Sequence, residues 1–261
     1  MGRVGSNGSR GLLGGGYASD NVNTIDYVTI PTTGNAFDFG DLLEAMRNIC
    51  DGGFADSTRA VCNTGTAATN LDLTQYVTIA SKGNASAFGD LAERTLKAGG
   101  LSSPTTGVIG GGQAVWPNTP TNVIQYVTIA TTGDFQDFGD LTRFHTTMGA
   151  LSSGVRGVFG GGYAPGSPAN VDQDVMDYIT IASKGDAIDF GNLTQARAHV
   201  TGVETKVRGV FVGSSTHGPT TGTNVMDYIT IATTGNATDF GDVIGTDFQI
   251  SGISDSHGGL G

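Results

Sequence analysis

One phrase recurs five times along this chain and constrains the fold more than any other feature. Its tyrosines stand at Tyr27, Tyr76, Tyr126, Tyr178 and Tyr228, spaced 49, 50, 52 and 50 residues apart. Each is followed 12 residues later by a phenylalanine: Phe39, Phe88, Phe138, Phe190 and Phe240. A period near fifty marks one supersecondary unit laid down repeatedly, either stacked or arranged in a circle. The repeats fill almost all of residues 1–261, so the chain reads as a single repeat domain rather than two unlike domains.

The unit has four strand signals. In the copy beginning near Ala198 they are His199–Glu204, Arg208–Gly213, Met226–Ala232 and Thr238–Asp242. The third alternates and is rich in β-branched residues and tyrosine, as a half-buried strand is. The Thr234-Gly235-Asn236 turn that follows tolerates positive φ. It recurs as Thr33-Gly34-Asn35, Lys82-Gly83-Asn84, Thr132-Gly133-Asp134 and Lys184-Gly185-Asp186. Four short antiparallel strands repeated around a ring describe a β-propeller, here an all-β protein of five four-stranded blades. The five Tyr/Phe pairs are expected to be its repeated core. Residues 1–9 and residues 247–256 each read as a first strand, one more than five blades need. A terminal strand is therefore expected to complete a blade built from the opposite end and so close the ring.

The spacing separates rigid from variable parts. From the residue opening the second strand (Arg10, Arg59, Thr106, Arg156, Arg208) to the tyrosine the distance is 17, 17, 20, 22 and 20. From phenylalanine to the next opening residue it is 20, 18, 18 and 18. Length variation thus collects in the loops at 17–24, 63–74, 113–123, 163–175 and 214–225. All five lie on the face that also carries the blade-to-blade connections. Insertions gathered on one face mark a binding face. Trp116, the single tryptophan, falls there, as do Tyr17, Tyr163 and His217. These four aromatics are the candidate contact residues: each could stack on a sugar or anchor a protein, or pack over the neighbouring blade.

A net charge of −11, with only 13 basic residues, argues against a nucleic-acid partner. No apolar run is long enough to span a bilayer, and the first residues lack the apolar stretch of a secretory signal. The 43 glycines fall at repeated positions between apolar strands and read as turn and close-packing residues. Cys50 and Cys62 flank a turn near Asp56. They either face each other across a hairpin or, the plainer reading, are reduced, buried thiols.

The run of apolar residues ending in paired glycines, then tyrosine, then a large aromatic, resembles kelch-type repeats. Leu12-Leu13-Gly14-Gly15-Gly16, Val108-Ile109-Gly110-Gly111-Gly112 and Val158-Phe159-Gly160-Gly161-Gly162 carry the likeness. Asn63-Thr64-Gly65 and Gly213-Ser214-Ser215 depart from it, and phenylalanine stands where kelch repeats have tryptophan. The phrase from Asp227 to Asp242 is similar to repeats in virion structural proteins of tailed bacteriophages, notably those of marine cyanobacteria. That resemblance implies a non-enzymatic part of the tail, a fibre or the capsid exterior. It would be assembled in the host cytoplasm and present in several copies in a symmetric assembly. Its partners would be other virion proteins or, alternatively, a host-surface glycan or receptor.

No chemistry-bearing constellation stands out, and neither cofactor nor metal is expected. Asp-Phe-Gly at Asp38, Asp137, Asp189 and Asp239 lacks the catalytic loop and strand lysine that would make it a magnesium site. The carboxylates of Asp41, Asp90, Asp140 and Asp242, with Asn192 in the fifth copy, suit bonding to backbone amides of the adjoining connection; a ring of cation sites is the second reading. His145 and His199 fall at similar places in neighbouring repeats, where they are either strand-end residues or the start of a shared metal site.

Overall fold

A computed structural model describes residues 2–6, 8–46, 52–63, 72–114, 119–164, 171–213, 215–216, 221–246, 252 and 254. The described residues contain no helix. They form five antiparallel four-stranded sheets arranged as a five-bladed β-propeller. Blade 1 comprises Gly2–Ser6, Arg10–Tyr17, Asn21–Thr29 and Phe37–Met46. Blade 2 comprises Phe54–Ala55, Arg59–Asn63, Leu73–Thr78 and Ser86–Asp90. Blade 3 comprises Gly99–Ser102, Thr106–Gly110, Val123–Thr128 and Gln136–Asp140. Blade 4 comprises Gly149–Ser152, Arg156–Gly160, Val175–Thr180 and Ile188–Asn192. Blade 5 comprises Thr201–Glu204, Arg208–Val212, Val225–Thr230 and Thr238–Asp242. The strands follow one another up and down, and the first strands of successive blades lie side by side around the axis.

Register repeats with the sequence. The tyrosine of the third strand pairs with Leu12, Val61, Val108, Val158 or Val210 of the second. In every blade the pairing of strands three and four slips at the residue before the tyrosine, leaving the phenylalanine as the extra residue of a β-bulge. A bulge bends its strand and re-aims a side chain. Here it packs the phenylalanine edge-on against its tyrosine, with ring centroids 5.8–6.2 Å apart.

The core is not one mass but a layer between each pair of neighbouring blades. Leu12, Ile25, Phe39 and Leu42 of blade 1 pack with Val77, Ile79 and Ala85 of blade 2. Equivalent layers join blades 2 and 3, 3 and 4, and 4 and 5. Phe39, Phe88, Phe138 and Phe190 are buried, whereas Phe240 is 48% exposed, against the expectation for a core residue. Tyr27, Tyr76, Tyr126, Tyr178 and Tyr228 are only half-buried. Four of these rings are covered on their outer face by Arg10, Arg59, Arg156 and Arg208, whose guanidinium carbons sit 4.4–4.7 Å from the ring centroids. Cys62 is a buried free thiol, as the plainer reading had it; Cys50 lies outside the described residues.

Ring closure by a strand from the opposite end is not found among the described residues. Gly2–Ser6 pairs with the second strand of its own blade, and each four-stranded sheet takes its strands in chain order. The other candidate for a closing strand, 247–256, is described only at Gly252 and Ser254. Replacement of the buried Phe190 by alanine is expected to cost about 3–5 kcal/mol in chemical denaturation. The same change at the half-exposed Phe240 should cost about 1 kcal/mol or less.

Candidate functional site

The repeat's polar residues are concentrated at seams between blades. At each seam the turn between strands three and four reaches the fourth strand of the preceding blade. Gly83 and Ala85 donate their amides to the Phe39 and Asp41 carbonyls, and the Asp41 amide donates to Asn84 Oδ1. Asp134, Asp186 and Asn236 make the same bond to the amides of Asp90, Asp140 and Asn192, at 3.0–3.1 Å. The sequence therefore assigned this bond to the wrong partner. At Asp41, Asp90 and Asp140 it is the backbone that engages, while the turn asparagine or aspartate supplies the side chain. Those three carboxylates are at most half-buried, and Asp242 is exposed. Nor is the turn a tight hairpin: seven residues, 231–237, separate the strands of blade 5, and Gly235 sits at φ 153°. The Asp-Phe-Gly carboxylates have a local role, Asp189 and Asp239 accepting from the amides of Gly191 and Gly241.

A second polar contact lies deeper. The residue before the tyrosine is buried in blades 2–5, as Gln75, Gln125, Asp177 and Asp227. Each reaches back to the preceding blade, at the end of its fourth strand in blade 1 and just beyond that strand in the others. Gln75 accepts from the Leu43 amide, Gln125 from the Ala92 amide, and Asp177 and Asp227 from the amides and hydroxyls of Thr142 and Thr194. The residue seven positions after the preceding phenylalanine is Met46, Thr95, His145 or Arg197, each buried. Gln75 donates to Met46 Sδ at 3.7 Å, while Arg197 Nη2 pairs with Asp227 Oδ2 at 2.8 Å with both side chains fully enclosed. Met46 thus meets a glutamine, while His145 and Arg197 stand beside aspartates. Burial lowers the pKa of His145, opposed by its bond to the Gly161 carbonyl and by Asp177. Burial also raises Asp177, opposed by the Thr142 bonds, and lowers Arg197, opposed by Asp227.

His145 and His199 are not equivalent positions. His145 fills the buried slot just described. His199 lies two places later and shares its register with Lys97 and Thr147. Among the described residues these three are the non-glycine residues with positive φ, at 55–58°. Such backbone is uncommon outside glycine and is held by its surroundings. Here Thr147 N donates to Lys97 O and Val200 N to Thr147 O, tying neighbouring blades together where the first strands begin. Among the described residues, no group of three or more histidine, cysteine, aspartate or glutamate side chains is placed to hold a metal ion.

The loop face above these seams differs from blade to blade. In blade 1 strands two and three simply extend, pairing Tyr17 with Asn21, and the Tyr17 ring is 62% exposed. In blade 3, Gln113–Ala114 pairs with Thr95–Leu96. Blades 4 and 5 carry small hairpins, Tyr163–Ala164 with Val171–Asp172 and Ser215–Thr216 with Thr221–Gly222. Tyr163 is half-buried and its backbone pairs with Thr146. The loop-face candidates Trp116 and His217 lie outside the described residues.

No protein-family model matches this chain, and no curated protein does. Among solved structures 211 chains match, so the fold is widely shared and by itself assigns no activity. One of them, the structure of YjhT, superposes with a TM-score of 0.70 at 12% identity, over 89% of this chain and 81% of that one.

The paired slots can be tested against each other. Arg197→Ala would leave Asp227 buried and uncompensated, at an expected cost of about 3–5 kcal/mol in denaturation. Arg197→Met combined with Asp227→Gln, which copies the Met46/Gln75 slot, should return to within about 1 kcal/mol of the parent. His145 has its folded pKa below the unfolded value, so its contribution is complete above about pH 6.5 and shrinks as pH falls below it. Relative to His145→Thr, the residue blade 2 uses, the parent should lose stability between about pH 7.5 and about pH 5.5, read as Tm against pH. The Asp177 carboxyl, raised by burial, pulls the other way in both proteins.

Proposed function

We propose that this chain is a non-enzymatic structural protein of a bacteriophage virion, on the tail, a fibre or the capsid exterior, that docks other virion proteins through its loop face. The observation carrying this reading is the division of labour within the repeat. The asparagine, aspartate, glutamine and arginine side chains that recur are engaged between blades, and the loop face is where each blade presents a different backbone and different residues. A rigid ring with a varied face suits recognition by contact. The likeness of the Asp227–Asp242 phrase to phage virion repeats supplies the setting, and several copies in a symmetric assembly follow from that setting. The acidic chain favours protein or neutral partners over nucleic acid. One observation favours a second reading, a host-surface glycan or receptor as partner: Tyr17 offers an exposed ring at the tip of a hairpin, a surface on which a sugar can stack.

Mass spectrometry and immunogold labelling of purified particles test the setting. Removing residues 113–120 should leave the melting temperature nearly unchanged, because surface loops tolerate length change at little thermodynamic cost. It should reduce incorporation into particles. If incorporation is normal and adsorption to host cells falls, the second reading replaces the first. If neither changes, this loop is not part of the working surface.

A further inference from the structure

Four seams are complete, and the faces that would make a fifth are bare. On blade 5, Phe240 is half-exposed where its four counterparts are 2–3% exposed. A Cβ built on Gly40, Gly89, Gly139 or Gly191 would lie 2.1–2.5 Å from the backbone of the next blade's turn, but nothing lies within 4 Å of one on Gly241. On blade 1, Ile30 is 51% exposed, whereas Ile79, Ile129, Ile181 and Ile231 are at most 4%. Arg10, Arg59 and Arg156 each donate to the carbonyl of an isoleucine in a following blade; among the described residues Arg208 makes no such bond to Ile30.

We propose that the space between blade 5 and blade 1 seats one more blade of this same repeat. Gly252 lies against the first strand of blade 5, on the side the further blade would take. Its amide donates to Thr201 Oγ1, and it packs on Gly202 and Val203 of blade 5, much as Gly202 packs on Ala150 of blade 4. Both bare faces keep the complete seam sequence. Blade 5 offers Arg208 and Phe240-Gly241-Asp242, and blade 1 offers the Thr33-Gly34-Asn35 turn and Ile30.

Blade 1 also constrains what its missing neighbour brings. Asp26 stands at the repeat position of Gln75, Gln125, Asp177 and Asp227. Where that position is aspartate, the preceding blade sets a basic residue beside it, His145 by Asp177 and Arg197 by Asp227. A buried carboxylate without an opposite charge is costly. The incoming blade must therefore present histidine or arginine to Asp26.

Site-resolved maleimide labelling of Phe240→Cys and Ile30→Cys in the 261-residue chain tests the seat, with molar mass measured alongside. Both positions should label rapidly in a monomer. The chain is then extended past Gly261 by a repeat patterned on residues 212–250, with glutamine at the 227 position and arginine seven places after its phenylalanine. Both sites should be protected at least about tenfold, and Tm should rise. The same extension with aspartate at that last position should protect residue 30 less. Protection of both sites in the unextended monomer would mean that five blades close on themselves, and protection in a dimer would mean that a second copy fills the seat. Unchanged labelling on extension would mean that no blade fits. Any of these three results overturns the proposal.

Discussion

Everything in this ring depends on how the outer edge of one blade is finished by the next. A fourth strand exposes unpaired amides and carbonyls, a template for unwanted pairing unless something covers it. Here the cover is the seven-residue turn of the following blade, whose two amides and one side-chain oxygen meet two carbonyls and one amide of the edge. The approach is so close that the edge tolerates no Cβ where they touch. That accounts for the glycine in Phe-Gly-Asp, since any side chain there would be driven into the neighbouring turn. The phenylalanine beside it is the bulged residue that fills the apolar layer beneath. One tripeptide thus serves hydrogen bonding, bulge geometry and core packing together, which is why it recurs so faithfully.

Deeper in the seam the chain uses polarity to distinguish one blade boundary from another. Repeats this similar could pair in the wrong order, since their apolar layers are nearly interchangeable. The buried slot breaks that equivalence. A basic Arg197 facing Gln75, or Met46 facing Asp227, would bury a charge without an opposite partner, at a cost of several kcal/mol. The arrangement is not a route to maximal stability. Arg197 Nε and Nη1 meet no acceptor among the described residues, and a well-packed neutral pair would serve at least as well. What the charged pairs supply is order among similar neighbours.

Much of this was readable from sequence, for a physical reason. Strand number, strand order and the variable face follow from periodicity and spacing, because β-branched alternation and glycine turns act locally. Partners across a seam do not. Asp41 and Asn84 both read as polar residues next to glycine, and only the fold shows that the asparagine side chain reaches 43 residues back to the other's backbone. The slot pairs left a trace that could have been found. Gln75, Gln125, Asp177 and Asp227 occupy one repeat position, and Met46, Thr95, His145 and Arg197 occupy another, so the two columns change character together. Aligning the histidines by proximity to strand ends, rather than by distance from the phenylalanine, hid this and set His145 beside His199. Phe240 was misplaced because a repeat predicts equal burial, and a terminal blade has a neighbour on one side only.

The same seam geometry explains why the loop face can vary separately from folding in this molecule. Substitutions at a seam act on two blades at once, through a turn, a buried slot and an apolar layer that share residues. Such positions are coupled and tolerate few changes. The loops between strands two and three begin beyond the last paired residues of the blade, and their hairpins close on their own backbones or on the adjacent connection. Blade 1 turns tightly there while blade 4 adds a separate small hairpin, yet the register of strands two and three beneath them is the same. Residues on that face can therefore change in length and chemistry without altering the angle between blades. Positive-φ residues at Lys97, Thr147 and His199 mark the inner limit of this freedom, because the backbone there already bonds the neighbouring blade. Outside that limit a five-fold repeated scaffold can carry five different loop surfaces.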